Sequence, residues 1–187
     1  YRKKPFLKNL FYLGTSFGFG FFFFGFYWIA YSLTFDESYK FLIPFSLILI
    51  PLFLSLFFSL PIIFVGNFIE KNISSIFLIS LIFSLSDFLR GNILTGFPWN
   101  IWAYSFSWSP ESIQILSIIG TYSYNLLVII FFFIPSILFF EKKQKYSILS
   151  LFFILFLSNY FYGSYKINTE KNYGDEKINF KIVSAGL

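Results

Sequence analysis

Asp87 and Arg90 stand three residues apart at the end of a long apolar run. On a helix that spacing sets a carboxylate beside a guanidinium. Ionisable groups in or beside a membrane-crossing segment are rare and point to function. Two chemistries are open to the pair. It can act as an ion pair that anchors the loop behind it, or Arg90 can offer its fork to the phosphate of a lipid headgroup. The loop itself reads Ser86-Asp87-Phe88-Leu89-Arg90-Gly91-Asn92-Ile93-Leu94-Thr95-Gly96-Phe97-Pro98-Trp99-Asn100 and runs on through Trp102, Tyr104 and Trp108. It holds three of the chain's four tryptophans and carries no charge between Arg90 and Glu111. Such a stretch is no simple aqueous loop, and its backbone cannot face lipid unpaired. It is expected at the membrane interface, packed on protein, with its rings at headgroup depth. Gly96 permits a tight turn, and Pro98 biases Phe97 towards an extended conformation. Arg90, Thr95, Gly96, Phe97, Pro98, Trp99, Trp102 and Tyr104 are the candidates for lipid or substrate contact.

Other chemistry is excluded by composition. The chain has no Cys and no His. Within these residues there is no thiol nucleophile, His base, disulfide or His/Cys metal site. No catalytic residue, metal site or cofactor is called for. The net charge of +5 comes from basic residues beside apolar runs. It is a topology signal rather than a nucleic-acid footprint.

The elements that must carry the loop follow from hydrophobicity. Of 187 residues, 57% are hydrophobic and 12% charged, with Phe supplying 32. A soluble domain carries about 25% charged residues, so this chain has too little polar surface to cover a core in water. Lipid removes that demand. The class is an all-α polytopic membrane domain, with about five spans of roughly 20 residues each. They run from about Leu10 to Leu33, Phe41 to Val65, Ile73 to Leu89, Ile113 to Phe140 and Tyr146 to Tyr162. Pro51 falls mid-span in the second, where a kink is expected. The fourth has a start signal in Ser109 as N-cap, Pro110 in the first turn and Glu111 at the positive dipole end. Gly14, Gly18 and Gly25 line one face of the first span and permit close helix packing. Tyr27, Trp28 and Tyr31 sit at its outer end like an interfacial belt. Tyr122, Tyr124 and Asn125 in the fourth read as interhelical hydrogen-bonders.

Loop charge gives orientation. Arg2, Lys3, Lys4 and Lys8, then Lys71, then Lys142, Lys143 and Lys145 share one side if five helices alternate, and the positive-inside rule makes that side cytoplasmic. Arg2 and Lys143 are then inside, and Glu37 and Gly174 outside. Residues 1–163 form the transmembrane domain and 164–177 a polar linker. In 178–187 Ile178, Phe180 and Ile182 alternate with Asn179 and Lys181, the pattern of a strand opening an extramembrane domain; a frayed tail is the alternative. With no Met and a strand at its very end, the chain reads as a fragment cut at both ends.

Leu89-Arg90-Gly91, then Leu94-Thr95-Gly96-Phe97-Pro98-Trp99, with Tyr104-Ser105 beyond, resembles the signature of apolipoprotein N-acyltransferases. Asp87 sits where that family tends to place an acidic residue. Gly18 to Leu33 resembles the family's third span, and Gly120 with Asn125-Leu126-Leu127 its sixth. Asn92 and Phe106 depart from residues frequent in the family. The resemblance implies a bacterial inner-membrane protein whose periplasmic nitrilase-like domain begins at the 178–187 strand. It also implies a two-step transfer. A Cys thiolate takes an acyl chain from a phospholipid donor, and the amine of a diacylglyceryl-cysteine lipoprotein then accepts it. The family's Glu, Lys and Cys are expected beyond Leu187, so this chain supplies the membrane platform and is inactive alone. Its partners are then phospholipid, lipoprotein and membrane lipids, with no nucleic acid. The rival is a fragment of a small-solute permease or channel-like protein, since broken spans occur in transporters. Scarce midplane charge and the lack of an inverted repeat weigh against it.

Overall fold

The computed structural model describes residues 6–93, 96–140 and 145–170. Among the described residues, five helices are long and apolar enough to cross a membrane: Leu7–Thr34, Glu37–Val65, Ile73–Asn92, Thr121–Phe139 and Lys145–Thr169. The all-α membrane domain expected from composition is therefore present. The expected strand at 178–187, with Arg2, Lys143 and Gly174 of the topology reading, lies outside the described residues.

The first span is α1 (Leu7–Phe26), extended by a 3-10 turn over Tyr27–Thr34. A further 3-10 turn over Glu37–Leu42 leads into α2 (Ile43–Leu54) and α3 (Leu56–Val65), which together make the second span. Their junction is Ser55, four residues after Pro51. The sequence places a kink at Pro51 itself, which lies inside α2; the interruption falls instead at Ser55, whose N–H still donates to the Pro51 carbonyl at 2.9 Å. The junction also serves packing. A Cβ on Gly14 would lie 2.5 Å from Ser59 Cα, and one on Gly18 would lie 2.9 Å from Ser55 Cα. α1 can reach the second span so closely only where both sides carry small residues. The Thr15 and Ser59 hydroxyls, 2.8 Å apart, close the seam. Gly25 shares the face but meets the side chain of Asn100 in the aromatic loop instead of a helix.

α4 (Ile73–Asn92) starts at Asn72, whose side chain accepts from the Ser75 N–H at 2.9 Å. It packs on α3 and on α7 (Thr121–Phe133), which a 3-10 turn over Ile134–Phe139 extends. α8 (Lys145–Glu170) is the last span. It stays helical through Glu170, so the described part of the stretch read as a linker is helix. The core lies where Phe22 and Phe26 of α1 meet Leu54, Phe58, Phe83 and Ile129.

The fourth span starts later than the sequence suggests. Ser109 does cap a helix, its hydroxyl accepting from the Ser112 N–H at 3.3 Å, but that helix is only α5 (Pro110–Ile113). A second short piece, α6 (Leu116–Ile119), follows, and Gly120 at φ +76° separates it from α7. A side chain adopts that backbone poorly. The apolar run from Ile113 is therefore broken before the membrane span begins.

Candidate functional site

The aromatic loop leaves the end of α4, turns at Gly96 with φ +80°, and folds back into the bundle. Its path can be followed by the rings it meets. Trp99 stacks on Trp28 at the end of α1, with centroids 5.1 Å apart. Phe97 meets Phe26 edge-on at 5.0 Å. Three residues further, Trp102 stacks on Phe21 at 5.4 Å and on Phe17 at 6.4 Å. Phe21 lies about 10 Å below Trp28 along α1. Trp102 and Phe106 also reach Phe132, near the middle of the Thr121–Phe139 span. The second half of the loop thus sits deeper than the headgroup-level placement expected from its tryptophans. Only at Trp108, 78% exposed, is a ring again fully outside.

Irregular backbone inside a bundle needs partners, since lipid provides none. Here they come from three side chains on three spans. Arg90, 1% exposed, donates from one guanidinium nitrogen to the Phe97 carbonyl at 2.8 Å and the Trp99 carbonyl at 2.7 Å. Its other terminal nitrogen donates to Asp87 Oδ1 at 3.0 Å. The guanidinium also lies 5.2 Å from the centre of the Phe22 ring. Asn125 of α7, 0% exposed, donates to Asp87 Oδ2 at 2.9 Å and accepts the Ala103 N–H at 2.9 Å. On the far side, Asn159 of α8 donates to the Ser112 carbonyl at 2.8 Å. In return, the Phe97 N–H donates to the Arg90 carbonyl at 2.9 Å. One continuous chain, Phe97 and Trp99 to Arg90 to Asp87 to Asn125 to Ala103, therefore pins both limbs of the loop to α4 and α7.

Of the candidates named from sequence, the structure gathers Arg90, Gly96, Phe97, Pro98 and Trp99 around this network. Thr95 lies outside the described residues. The Asp87–Arg90 ion pair forms and is buried. The guanidinium's two terminal nitrogens are both directed at protein groups, while Trp99 is 50% exposed and Tyr104 48%. Trp102 is spent largely on packing against α1, α3 and α7. No group of three or more His, Cys, Asp or Glu that could hold a metal occurs among the described residues.

Two participants were not singled out in the sequence. Asn100 takes φ +55° and sets its amide against Gly25; the only hint is that Asn tolerates this conformation better than most residues. Asn159 gave no signal at all. The sequence marks Asn125 as an interhelical hydrogen-bonder but carries no sign of its link to Asp87.

A family model described as the apolipoprotein N-acyltransferase N-terminal domain matches residues 1–134. Proteins named apolipoprotein N-acyltransferase are similar over most of the chain. The one from Allorhizobium ampelinum is 26% identical over 182 residues, covering 97% of this chain and 34% of the relative. The one from Rickettsia prowazekii is 34% identical over 169 residues, covering 88% of this chain and 34% of the relative. The one from Rickettsia bellii is 38% identical over 118 residues, covering 63% of this chain and 23% of the relative. The chain thus spans about a third of these relatives' length, or less. No solved structure matches it.

Proposed function

The chain belongs to the apolipoprotein N-acyltransferase family, and from that premise we propose that it is the membrane platform of an enzyme that N-acylates lipoproteins with phospholipid as donor. In the reaction inferred from the family, a Cys thiolate in a following nitrilase-like domain attacks the donor ester. A thioester forms and a lysophospholipid leaves. The free amine of the lipoprotein's diacylglyceryl-cysteine then attacks the thioester, forming an amide and releasing the thiol. This chain has no Cys, so its part is to position the lipid.

The observation that carries this reading is the Trp28–Trp99 pair. It forms a half-exposed aromatic shelf where α1 ends, and Arg90 fixes it by holding the Trp99 carbonyl. A rigid apolar wall at the membrane surface can orient an acyl chain that must rise to a catalytic domain above. Phe97, Pro98 and Tyr104 extend that wall in this proposal, and Arg90 holds it without touching lipid. The protein then lies in the bacterial inner membrane, with Glu37 and Gly174 on the periplasmic side and Arg2 and Lys143 in the cytoplasm.

The test uses radiolabelled phospholipid and a protein of the relatives' full length. A hydroxylamine-sensitive acyl-enzyme should form, and its label should pass to a lipoprotein amine. The 187-residue chain alone should form none. No transfer by the full-length protein, or a covalent acyl adduct on the chain alone, overturns the proposal.

A further inference from the structure

We propose that one acyl chain of a glycerophospholipid resides in an apolar cleft beneath Trp102, with its headgroup at the end of the bundle where α1 begins. The cleft has a volume of about 570 Å³. Leu13 and Phe17 of α1, Ile62 of α3, Ile79 of α4 and Phe132 of α7 form its walls, and Trp102 closes the top. Leu10, Gly66 and Ile69 line the mouth. The Trp28–Trp99 shelf lies at the opposite end of α1, so this is a second site, in the other leaflet. The lipid is a resident rather than a donor, and the inference does not depend on the acyl-transfer reading.

Three observations select the occupant. The first is length. Trp102 stacks on Phe17 and Phe21. From Leu10 at the mouth to Phe21 at the ceiling, α1 rises about 16 Å. Half the hydrocarbon core of a bilayer is about 15 Å, so a chain from one leaflet reaches the ceiling and stops there. The second is chemistry. Walls of Leu, Ile and Phe offer only dispersion contacts, which an empty cleft forfeits. In a bilayer the tails are the solvent that can supply them. The third is the mouth. Lys71 stands two residues beyond Ile69, and the one acid between them, Glu70, accepts from the Asn72 amide at 3.0 Å. A phospholipid headgroup matches this arrangement: its phosphate suits Lys71.

Trp102 at the ceiling makes the site readable by fluorescence. The reporter is the Trp28→Phe, Trp99→Phe, Trp108→Phe variant, which keeps Trp102 alone. It is reconstituted in phosphatidylglycerol brominated either near the methyl end or near the carboxyl end of the acyl chain. Methyl-end bromine should quench Trp102 more strongly. Filling the cleft with Leu13→Phe and Ile79→Phe should cut that quenching by half or more. A companion variant keeping Trp99 alone, with the same two fillings, should retain its emission maximum and thereby report an intact fold. Should the filled variant not fold, Lys71→Gln leaves the walls untouched. In mixtures with unbrominated phosphatidylcholine it should need a larger share of brominated lipid for the same quenching. No preference for methyl-end bromine overturns the inference. So does full quenching in a folded, filled protein, or an unchanged mixing curve in the mouth variant.

Discussion

The side-chain amide of Asn125 donates to Asp87 Oδ2 at 2.9 Å, and so ties the fourth span to the third at the point where the aromatic loop is anchored. The same amide accepts the Ala103 N–H. Asn125→Leu keeps the volume but strands both groups inside the bundle. An unsatisfied buried polar group costs about 1–3 kcal/mol, so the variant should be clearly less stable. Thermal unfolding in detergent, followed by intrinsic fluorescence, checks this. A midpoint unchanged from the parent's would mean that the network contributes little.

Arg90 should be the most sensitive position in the loop. Truncating one partner of a buried ion pair costs about 3–5 kcal/mol, and Arg90→Met would also free the carbonyls of Phe97 and Trp99. Arg90→Lys keeps the charge but lacks the planar fork that serves two carbonyls and a carboxylate together. It should recover only part of the loss. Asp87→Leu with Arg90→Met removes both charges, so the double variant should lose less than the sum of the singles. Unfolding midpoints of the four proteins form the cycle, and strict additivity would dissolve the proposed coupling.

Much of this site is legible in the sequence, but only where the signal is local. The i, i+3 spacing of Asp87 and Arg90 is enough to expect their pairing. The partner that completes it, Asn125, lies 38 residues away, and no spacing rule links the two. The five spans are visible because about 20 apolar residues are needed to cross a bilayer. The true start of the fourth is not, because apolarity runs unbroken through α6, and the break is a backbone angle at Gly120. The tryptophans of the loop speak for the interface. Trp102 nonetheless packs deep, since Phe17, Phe21 and Phe58 happen to receive it.

The glycines of α1 should divide by what faces them. A Cβ on Gly20 meets nothing within 4 Å, whereas one on Gly14 collides with the Ser59 backbone. Gly20→Ala should therefore stabilise the helix by up to about 1 kcal/mol. Gly14→Ala should destabilise the protein despite the same gain in propensity, because α1 must move off α3. Comparing unfolding midpoints of the two variants checks the sign of each. A stabilising Gly14→Ala would show that the seam yields more readily than its 2.5 Å clearance implies.

Trp99 is the residue on which the proposed lipid wall and a plain membrane anchor give opposite results. Its ring is half exposed, rests on Trp28, and is aimed by the Arg90 bond to its carbonyl. That bond is to backbone, so Trp99→Ala leaves the network from Arg90 to Asn125 in place and removes only the ring. An anchoring ring contributes to insertion and retention, and its loss should lower the amount of protein in the membrane while each molecule turns over as before. A wall for the acyl chain contributes to the placement of the reacting ester, where a misplacement of about 1 Å can cost roughly a hundredfold in rate. In a protein of the relatives' full length, the expected outcome is near-normal abundance with turnover per molecule reduced tenfold or more. Trp99→Phe, which keeps an aromatic surface against Trp28, should recover most of it. Quantitative membrane immunoblots beside acyl transfer from labelled phospholipid measure both quantities. Lower abundance with unchanged turnover would make the Trp28–Trp99 shelf an anchor and remove it from the reaction.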